Sequence, residues 1–325
     1  MTAWISEVTL KILTLLSLPG VGLQTVKKIL QYPHIHQSQD LADLGFLDLR
    51  LYRAMQDPSA MKTANDKVQE IQRQAETLNM QVVSLADPHY PEVLKNTPDA
   101  PPVLYLKGHW YDDQSLMTVV GTRTPSRHGE ITTERIVQHF TEAGFGVASG
   151  LFPGCSERAV QTALQRGAYV IAVYSAGFDQ DFSPALHKLG QQVLEQGLWV
   201  SPFPPGTVFK THQLVQQNRL QVAFGTGLLM VQSGIHGTSL HSVRAALRYG
   251  RPVAVPALSQ TDQQEGREEA VGVNRLLFSQ HPEASTLLDI PPEDLSKIIL
   301  LHGKQDYAHF EASMRGKKAA SDALV

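Results

Sequence analysis

The stretch VVGTRTPSRHG, from Val119 to Gly129, holds the residues most suited to binding chemistry. Its apolar start ends at Gly121, and threonine, serine and two arginines follow before a helix could begin. Glycine turns offer backbone amides to anions, and hydroxyl and guanidinium groups add further hydrogen bonds to phosphate oxygens. The stretch is therefore suited to a phosphate, either alone or as part of a nucleotide.

The elements around this stretch predict a parallel sheet. From Gln114 to about Leu288, short runs that are apolar at nearly every residue alternate with segments of helical period. Such runs are typical of parallel strands that crossover helices cover on both faces. The predicted fold class is therefore α/β, a Rossmann-like doubly wound, mostly parallel sheet with a small N-terminal all-helical domain.

Four glycine-bearing loops fall at one edge of this predicted sheet. They read GTRTPS, SGLFPG, SAGFDQ and SGIHGTS, and each follows an apolar run. Ligands of open α/β sheets bind beyond the carboxyl ends of the strands. We expect the four loops to meet at that edge and to form the binding site.

The N-terminal region, residues 1–80, is rich in helix formers. Its sequence LLSLPGVGLQTVKKIL resembles a helix-hairpin-helix, whose turn and second helix can hold a DNA phosphate. A helical bundle that uses Gly20 and Gly22 as a tight turn explains the same pattern. Lys27 and Lys28 are accordingly either weaker phosphate contacts or part of a solvated helix face.

Three further segments complete the predicted organisation. The prolines of residues 81–113 indicate an extended connector, with PPVLYLKG as an edge strand. Residues 114–290 form the Rossmann-like domain. Residues 291–325 are expected to form a short C-terminal helix and a mobile tail.

Composition limits the function classes. The 325 residues carry a net charge of −3, which restricts any nucleic-acid site to a local patch. The single cysteine, Cys155, excludes an intramolecular disulfide, fits a reducing compartment and is expected to be inert. Glu7 and Lys11 interrupt the apolar N-terminus, which indicates an amphipathic helix rather than a signal peptide. No run approaches the about 20 apolar residues of a membrane span, and a cytoplasmic protein without membrane contact is predicted.

Several motifs together resemble the DNA-processing protein A family, DprA or Smf, across about Tyr90 to Leu277. They are YPEVLKNTPDAPPVLYLKG, VVGTRTPSRHG, AGFGVASGL, PPGT, QNR and GVNRLL. The resemblance implies a non-enzymatic protein that binds and protects incoming single-stranded DNA in natural transformation and recombination. It also implies a homodimer through the Rossmann-like domain, a RecA-type recombinase as the partner that the protein helps to load onto DNA, and no cofactor.

The resemblance implies the site residues as well. Arg123 matches the arginine of the family's Gly-Ser-Arg loop, and Arg219 ends its Arg-Asn-Arg motif. With the amides of the glycine loops, the expected DNA- and phosphate-binding residues are Gly121, Thr122, Arg123, Ser126, Gly150, Asn218, Arg219, His236, Gly237, Thr238 and Ser239. Weaker candidates at the same edge are Arg127 and Arg158.

The chain departs from the family pattern at several of the matched positions, among them the following three. Gln217 replaces the first arginine of the Arg-Asn-Arg motif, His236 stands where a lysine is expected, and Gln232 replaces a glutamate. Glutamine offers only neutral hydrogen bonds, and histidine carries a full charge only at lower pH. These changes predict weaker, redirected or pH-dependent binding.

An alternative interpretation is a Rossmann-like sensor or scaffold that binds a nucleotide or a nucleotide signal and retains a degenerate DNA pocket. GIHGTSLHS resembles the loop of hydrolases that cleave a ribosyl phosphate, but Ser239, Leu240 and His241 supply no carboxylate. GTRTPS lacks the Gly-x-Gly-x-x-Gly of dehydrogenases. The 13 histidines show no zinc spacing, so neither a metal site nor a catalytic residue is predicted.

Overall fold

A computed structural model of the chain describes residues 4–31, 44, 46–180, 183–264 and 268–322. The strands of this part form a single ten-stranded sheet. In chain order they are β1 Trp4–Ile5, β2 Gln81–Ser84, β3 Val103–Gly108, β4 Leu116–Val120, β5 Gly146–Gly150, β6 Val170–Val173, β7 Leu198–Ser201, β8 Gly227–Met230, β9 Val253–Pro256 and β10 Ile298–Leu301.

The helices precede, connect and cover these strands. They are α1 Glu7–Ser17, α2 Leu23–Leu30, α3 Leu49–Met55, α4 Pro58–Leu78, α5 Glu92–Lys95, α6 Arg127–Glu142, α7 Cys155–Gln165, α8 Pro184–Gln196, α9 Gln213–Phe224, α10 Ser239–Arg248, α11 Glu268–Phe278, α12 Glu283–Leu288 and α13 Tyr307–Asp322. Short 3-10 helices span Pro292–Lys297 and Lys304–Asp306. None of the described helices is long and apolar enough for a membrane crossing.

The sheet has the order β1-β2-β3-β7-β6-β5-β4-β8-β9-β10. The last seven strands in this order, from β7 through β4 to β10, are all parallel. The two faces of β4 show how it is covered. Met117 and Val119 join the buried cluster of Phe140 on α6, whereas Val120 packs with Val222 on α9. The predicted Rossmann-like, mostly parallel α/β fold is confirmed.

The order of the strands creates a crevice. From β4 the chain adds β5, β6 and β7 on one side, and it then returns to place β8, β9 and β10 on the other side. The loops that follow β4 and β8 therefore diverge at the middle of the sheet. Such a switch point is where open α/β sheets bind their ligands.

The predicted edge strand lies inside the sheet. Strand β3 pairs antiparallel with β2 on one side and with β7 on the other. Pro101 and Pro102 suggested an edge, but both precede the strand, so no hydrogen bond of the β3 ladder is lost. Four consecutive buried residues, Val103 to Leu106, mark a strand that is covered on both faces.

Both ends of the chain add to the sheet beyond the prediction. Trp4 and Ile5 pair with β2, so the N-terminal region contributes a strand as well as helices. The run IILL, which lies in the segment predicted to hold only a short helix and a tail, forms β10 beside β9. The predicted mobile tail overlaps α13, where Phe310 packs against Phe140 with ring centroids 5.4 Å apart. Residues 323–325 lie outside the described part.

Candidate functional site

A crevice of about 320 Å³ lies at the switch point between β4 and β8. The loop after β4 and the loop after β8 form its two sides, and the segment before α9 forms a lip. The lining residues are Gly121, Thr122, Arg123, Phe209, Thr211, Leu214, Ser233, Gly234, Gly237, Thr238, Ser239 and Glu269. Six of the residues predicted to bind phosphate thus lie together around one cavity.

Arg123 is the cation of this crevice. Its side chain is exposed, and the guanidinium carbon lies 4.8 Å from the centroid of the Phe152 ring. Within the described part of the chain, Arg123 forms no ion pair with a carboxylate. A cation–π contact of this exposed kind contributes about 0.5–1 kcal/mol, so it orients the side chain without neutralising it. The charge remains available to an anion.

Ser126 positions the loop instead of lining the crevice. It is buried, and its hydroxyl caps α6 by accepting a hydrogen bond from the Gly129 amide at 3.1 Å. The side chain of Gln232 accepts a hydrogen bond from the Ser126 backbone amide at 3.0 Å and donates one to the Ser126 hydroxyl at 2.9 Å. The Thr122 amide also donates to the Gln232 carbonyl at 2.8 Å. The loop that carries Arg123 is therefore fastened to the end of β8.

The loop after β5 packs directly on the Arg123 loop. Gly154 has φ +87°, and a Cβ there would lie 2.5 Å from the Thr122 carbonyl oxygen. The next residue, Cys155, donates its amide to the same oxygen at 3.2 Å. Burial raises the pKa of the Cys155 thiol to about 12. This thiol supports the loop and is not a nucleophile at neutral pH.

The loop after β8 is held by a residue that the sequence reasoning missed. Asn274 of α11 accepts the Ser233 amide at 3.0 Å and donates to the Val231 carbonyl at 2.8 Å. Its only signal was its place in the GVNRLL motif. Ser239 donates to the Ser233 hydroxyl at 2.6 Å, and α10 begins at Ser239 with no side-chain cap. The positive end of the α10 dipole therefore faces the crevice.

A neutral polar network on α9 lines a small pocket beside the crevice, and Arg123 and Thr238 line both. Asn218 donates to the Thr238 carbonyl at 3.0 Å. Gln217 is 1 % exposed, donates to the Val173 carbonyl at 3.1 Å, and would touch a Cβ at Gly150. A charged side chain at this depth would need a buried counter-ion. Burial thus explains why a neutral glutamine is tolerated at position 217.

Arg219 does not join Arg123. It lines a different cavity of about 520 Å³, with His241, Arg244 and Arg248 of α10. Asp99 pairs with Arg219 at 3.7 Å and with Arg248, which partly compensates the charge. Burial, with the nearby charges of Arg244 and Arg219, lowers the pKa of His241.

The remaining predicted residues lie outside the crevice lining. His236 is exposed at the tip of the loop after β8. Arg127 and Arg158 share Glu130, at 3.1 and 3.9 Å. Lys28 is exposed on α2, and the Lys27 ammonium donates to the Pro98 carbonyl at 3.1 Å.

Comparison with known proteins places the chain among DNA-processing proteins. The sequence model of the family described as DNA recombination-mediator protein A matches residues 81–283. Protein Smf of Synechocystis sp. is 29% identical over 180 residues, which are 54% of this chain and 45% of that protein. The chain thus matches less than half the length of that curated relative.

Two solved structures share the fold. The X-ray structure of DNA processing protein A from Streptococcus pneumoniae has a TM-score of 0.69 at 22% identity, covering 95% of this chain and 98% of that one. A structure that addresses the single-stranded DNA binding mode of DNA processing protein A from Helicobacter pylori has a TM-score of 0.57 at 19% identity. It covers 72% of this chain and 95% of that one.

Proposed function

The chain belongs to the DNA recombination-mediator protein A family, and on that premise we propose that it binds single-stranded DNA in the switch-point crevice. The observation that carries the proposal is Arg123, an exposed guanidinium without a carboxylate partner in the described part, at the mouth of a crevice lined by glycines and hydroxyls. A backbone phosphate at this point would accept charge-assisted hydrogen bonds from Arg123. The α10 dipole would add favourable electrostatics.

Aromatic rings beside Arg123 favour a single strand over a duplex. The Phe152 ring lies under the guanidinium of Arg123. The ring of Phe209, which is 42% exposed, has its centroid 6.5 Å from the centroid of the Phe152 ring. A base can stack on such a ring only when the face of the base is free, as it is in a single strand. Each stacked base contributes about 1–3 kcal/mol. Glu269 on α11 lines the same crevice and disfavours phosphates beside it, which leaves the Arg123 side for the backbone.

The affinity should depend on few charges. The net charge of −3 supplies no general attraction, and Arg219 is partly compensated by Asp99. For single strands the logarithm of the binding constant falls by about 0.7 per phosphate contact for each tenfold rise in salt. One or two phosphate contacts therefore give a shallow salt dependence of the binding constant. Base stacking on the aromatic rings supplies much of the rest of the binding free energy.

The protein acts in this proposal by holding DNA and not by covalent catalysis. In support, the Cys155 thiol is buried, and its pKa is raised to about 12. We extend the proposal to delivery of the bound strand to a RecA-type recombinase during natural transformation, in the cytoplasm and as a homodimer through the Rossmann-like domain. Membership in a family described as recombination mediators supports this extension. Light scattering tests the dimer, and recombinase filament formation on coated single strands tests delivery.

Fluorescence anisotropy with a labelled single-stranded oligonucleotide tests the binding itself. The Arg123→Ala variant should bind about tenfold more weakly, since a hydrogen bond to a charged group contributes about 1.5–3 kcal/mol. The Arg50→Ala variant is the matched control, because Arg50 is 72% exposed on α3 and outside the crevice. Binding that is equal in wild type and Arg123→Ala would contradict the proposed site. Absence of binding at low salt would instead favour the nucleotide sensor, which a thermal-shift screen of nucleotides would then address.

A further inference from the structure

A further cavity, of about 210 Å³, lies at the carboxyl ends of β9 and β10, between α6 and α13. We call it the C-terminal cavity. His128 and Arg135 of α6 form one wall, and His302, Gly303 and Tyr307 form the other. It shares no lining residue with the switch-point crevice. It is smaller than the about 300–1,000 Å³ of pockets that enclose drug-sized ligands, so it suits a compact group.

The lining of the C-terminal cavity holds basic side chains and no acidic ones. Arg135 and two histidines line it, and no carboxylate does. Within the described residues, Arg135 forms no ion pair with Asp or Glu. The neighbouring acid, Asp306, is already engaged, because its carboxylate accepts the amides of His302 and Gly303 at 2.6 and 2.9 Å. The cavity therefore presents a cation that lacks an anion.

Tyr307 adds an unused donor. Its side chain is 2 % exposed, and its hydroxyl lies beside Arg135 without a well-aligned hydrogen bond. Burial raises the pKa of Tyr307, and the charge of Arg135 acts on that pKa more strongly than the opposing charge of Asp306. The group is thus a neutral hydroxyl in a positive field. The hydroxyl oxygen can accept from Arg135, but its proton has no acceptor among the described residues, and a buried donor of this kind costs about 1–3 kcal/mol that an acceptor in the cavity would recover.

The two imidazoles are oriented in advance. The His128 Nε2 lies 3.2 Å from the Ala257 carbonyl oxygen and 3.3 Å from the Thr132 hydroxyl, and these two contacts fix the ring. The His302 ring stands edge-on to Phe278, with centroids 5.3 Å apart. A ligand would therefore meet side chains that are already fixed, and this lowers the entropic cost of binding.

We propose that the C-terminal cavity is a binding site for a phosphate-type oxyanion, held by the Arg135 guanidinium and the Tyr307 hydroxyl with His128 and His302 at its flanks. A guanidinium and a hydroxyl supply the charge-assisted hydrogen bonds that phosphate oxygens accept. The same chemistry occurs in the 5′-phosphate of a DNA strand and in a free phosphorylated small molecule. The site stands on its own residues, independently of the proposed single-strand binding.

The test uses the full chain and inorganic phosphate, with binding measured by calorimetry against chloride at equal ionic strength. Phosphate should bind the wild type. It should bind the Arg135→Ala variant about tenfold more weakly and the Tyr307→Phe variant about fivefold more weakly. Tyr307→Phe keeps the ring that packs on Phe140 and removes only the hydroxyl. Arg166→Ala, an exposed arginine at the end of α7, is the control and should leave phosphate binding unchanged.

Two outcomes overturn the proposal. One is an equal phosphate affinity in the wild type, Arg135→Ala and Tyr307→Phe. The other is phosphate binding that disappears in Arg123→Ala and persists in Arg135→Ala, which would place the anion in the crevice. Oligonucleotides with and without a 5′-phosphate then identify the source. A 5′-phosphate preference that Arg135→Ala abolishes identifies the strand end, whereas phosphate binding without that preference identifies a free phosphorylated molecule, and both support the site.

Discussion

Gln232 and Ser126 hold each other through two hydrogen bonds, from the Ser126 amide to Gln232 Oε1 at 3.0 Å and from Gln232 Nε2 to the Ser126 hydroxyl at 2.9 Å. The pair joins the end of β8 to the start of α6. On its other side, Gln232 Nε2 lies 3.4 Å from a carboxylate oxygen of the buried Asp262. A neutral amide is therefore the group that satisfies both neighbours.

Replacing this amide by a carboxylate should make stability depend on pH. In Gln232→Glu two carboxyl groups would meet in a buried place, which raises the pKa of one of them above its unfolded value. A raised carboxyl pKa stabilises the fold only while the group is protonated, so stability should fall as pH rises from about 5 to about 8. Urea unfolding across that range, with the exposed Gln263→Glu as control, measures the effect, and parallel pH profiles would contradict it.

Two glycines with nearly the same φ differ in what surrounds them. Gly154 and Gly144 have φ +87° and +88°, but a Cβ at Gly154 would meet the Thr122 and Arg123 backbone, whereas a Cβ at Gly144 would meet nothing within 4 Å. Gly144→Ala should therefore lose about 1–2 kcal/mol of stability from the torsion alone. Gly154→Ala should lose about 1–3 kcal/mol more and also weaken single-strand binding by displacing the Arg123 loop. Equal losses in unfolding and in binding would remove the contact from the explanation.

Arg219 should matter less for DNA than Arg123. The charge of Arg219 is partly neutralised by Asp99. The same carboxylate also pairs with Arg248 and accepts a hydrogen bond from the Tyr249 hydroxyl. Arg219→Ala should reduce stability by at most about 1 kcal/mol, because the pair is partly exposed, and should weaken single-strand binding less than Arg123→Ala does. Fluorescence anisotropy measures the single-strand affinity of both variants, and urea unfolding measures their stability. A loss in Arg219→Ala as large as that in Arg123→Ala would mean that the strand crosses both cavities.

A permanent charge at position 236 should strengthen DNA binding. His236 is exposed on the loop that lines one side of the crevice. His236→Lys should raise the affinity for single strands and steepen the salt dependence by about 0.7. His187→Lys, an exposed change on α8, is the matched control. If the two variants have the same salt dependence, the loop tip lies outside the path of the strand.

The thiol of Cys155 should be unreactive in the folded protein. With its pKa raised to about 12, the thiolate fraction near pH 8 is about 1 in 10,000. A colorimetric thiol reagent should therefore react only after unfolding in guanidinium. Rapid labelling of the native protein would show that the loop after β5 opens.

The sequence predicts the centre of the fold well because burial on both faces leaves a direct signal. The apolar runs of β4 and β8 indicate parallel strands, and that topology alone places the Arg123 loop at the switch point. The short run IILL, by contrast, fits a buried helix as well as a strand. Only its pairing with β9, which depends on distant residues, decides between the two.

The position of Arg219 shows what local sequence conceals. Asn218 and Arg219 are adjacent in the motif, but successive residues of a helix point about 100° apart. Asn218 therefore faces Thr238 at the crevice, whereas Arg219 faces Asp99. Neither Asp99 nor its second partner, Arg248, is near Arg219 in the chain, so no spacing rule predicts this pairing.

The sheet passes without a break from the N-terminal region into the Rossmann-like core, and this has a consequence for proteolysis. Strand β1 covers only Gln81 and Val82 of β2, and Ile12 of α1 shares a buried cluster with Val82 and Tyr105. Cleavage near residue 80 with loss of the N-terminal piece would leave β2 as an open edge beside bared apolar side chains. Open edges of this kind recruit other strands, so the truncated fragment should form larger assemblies than the intact chain does.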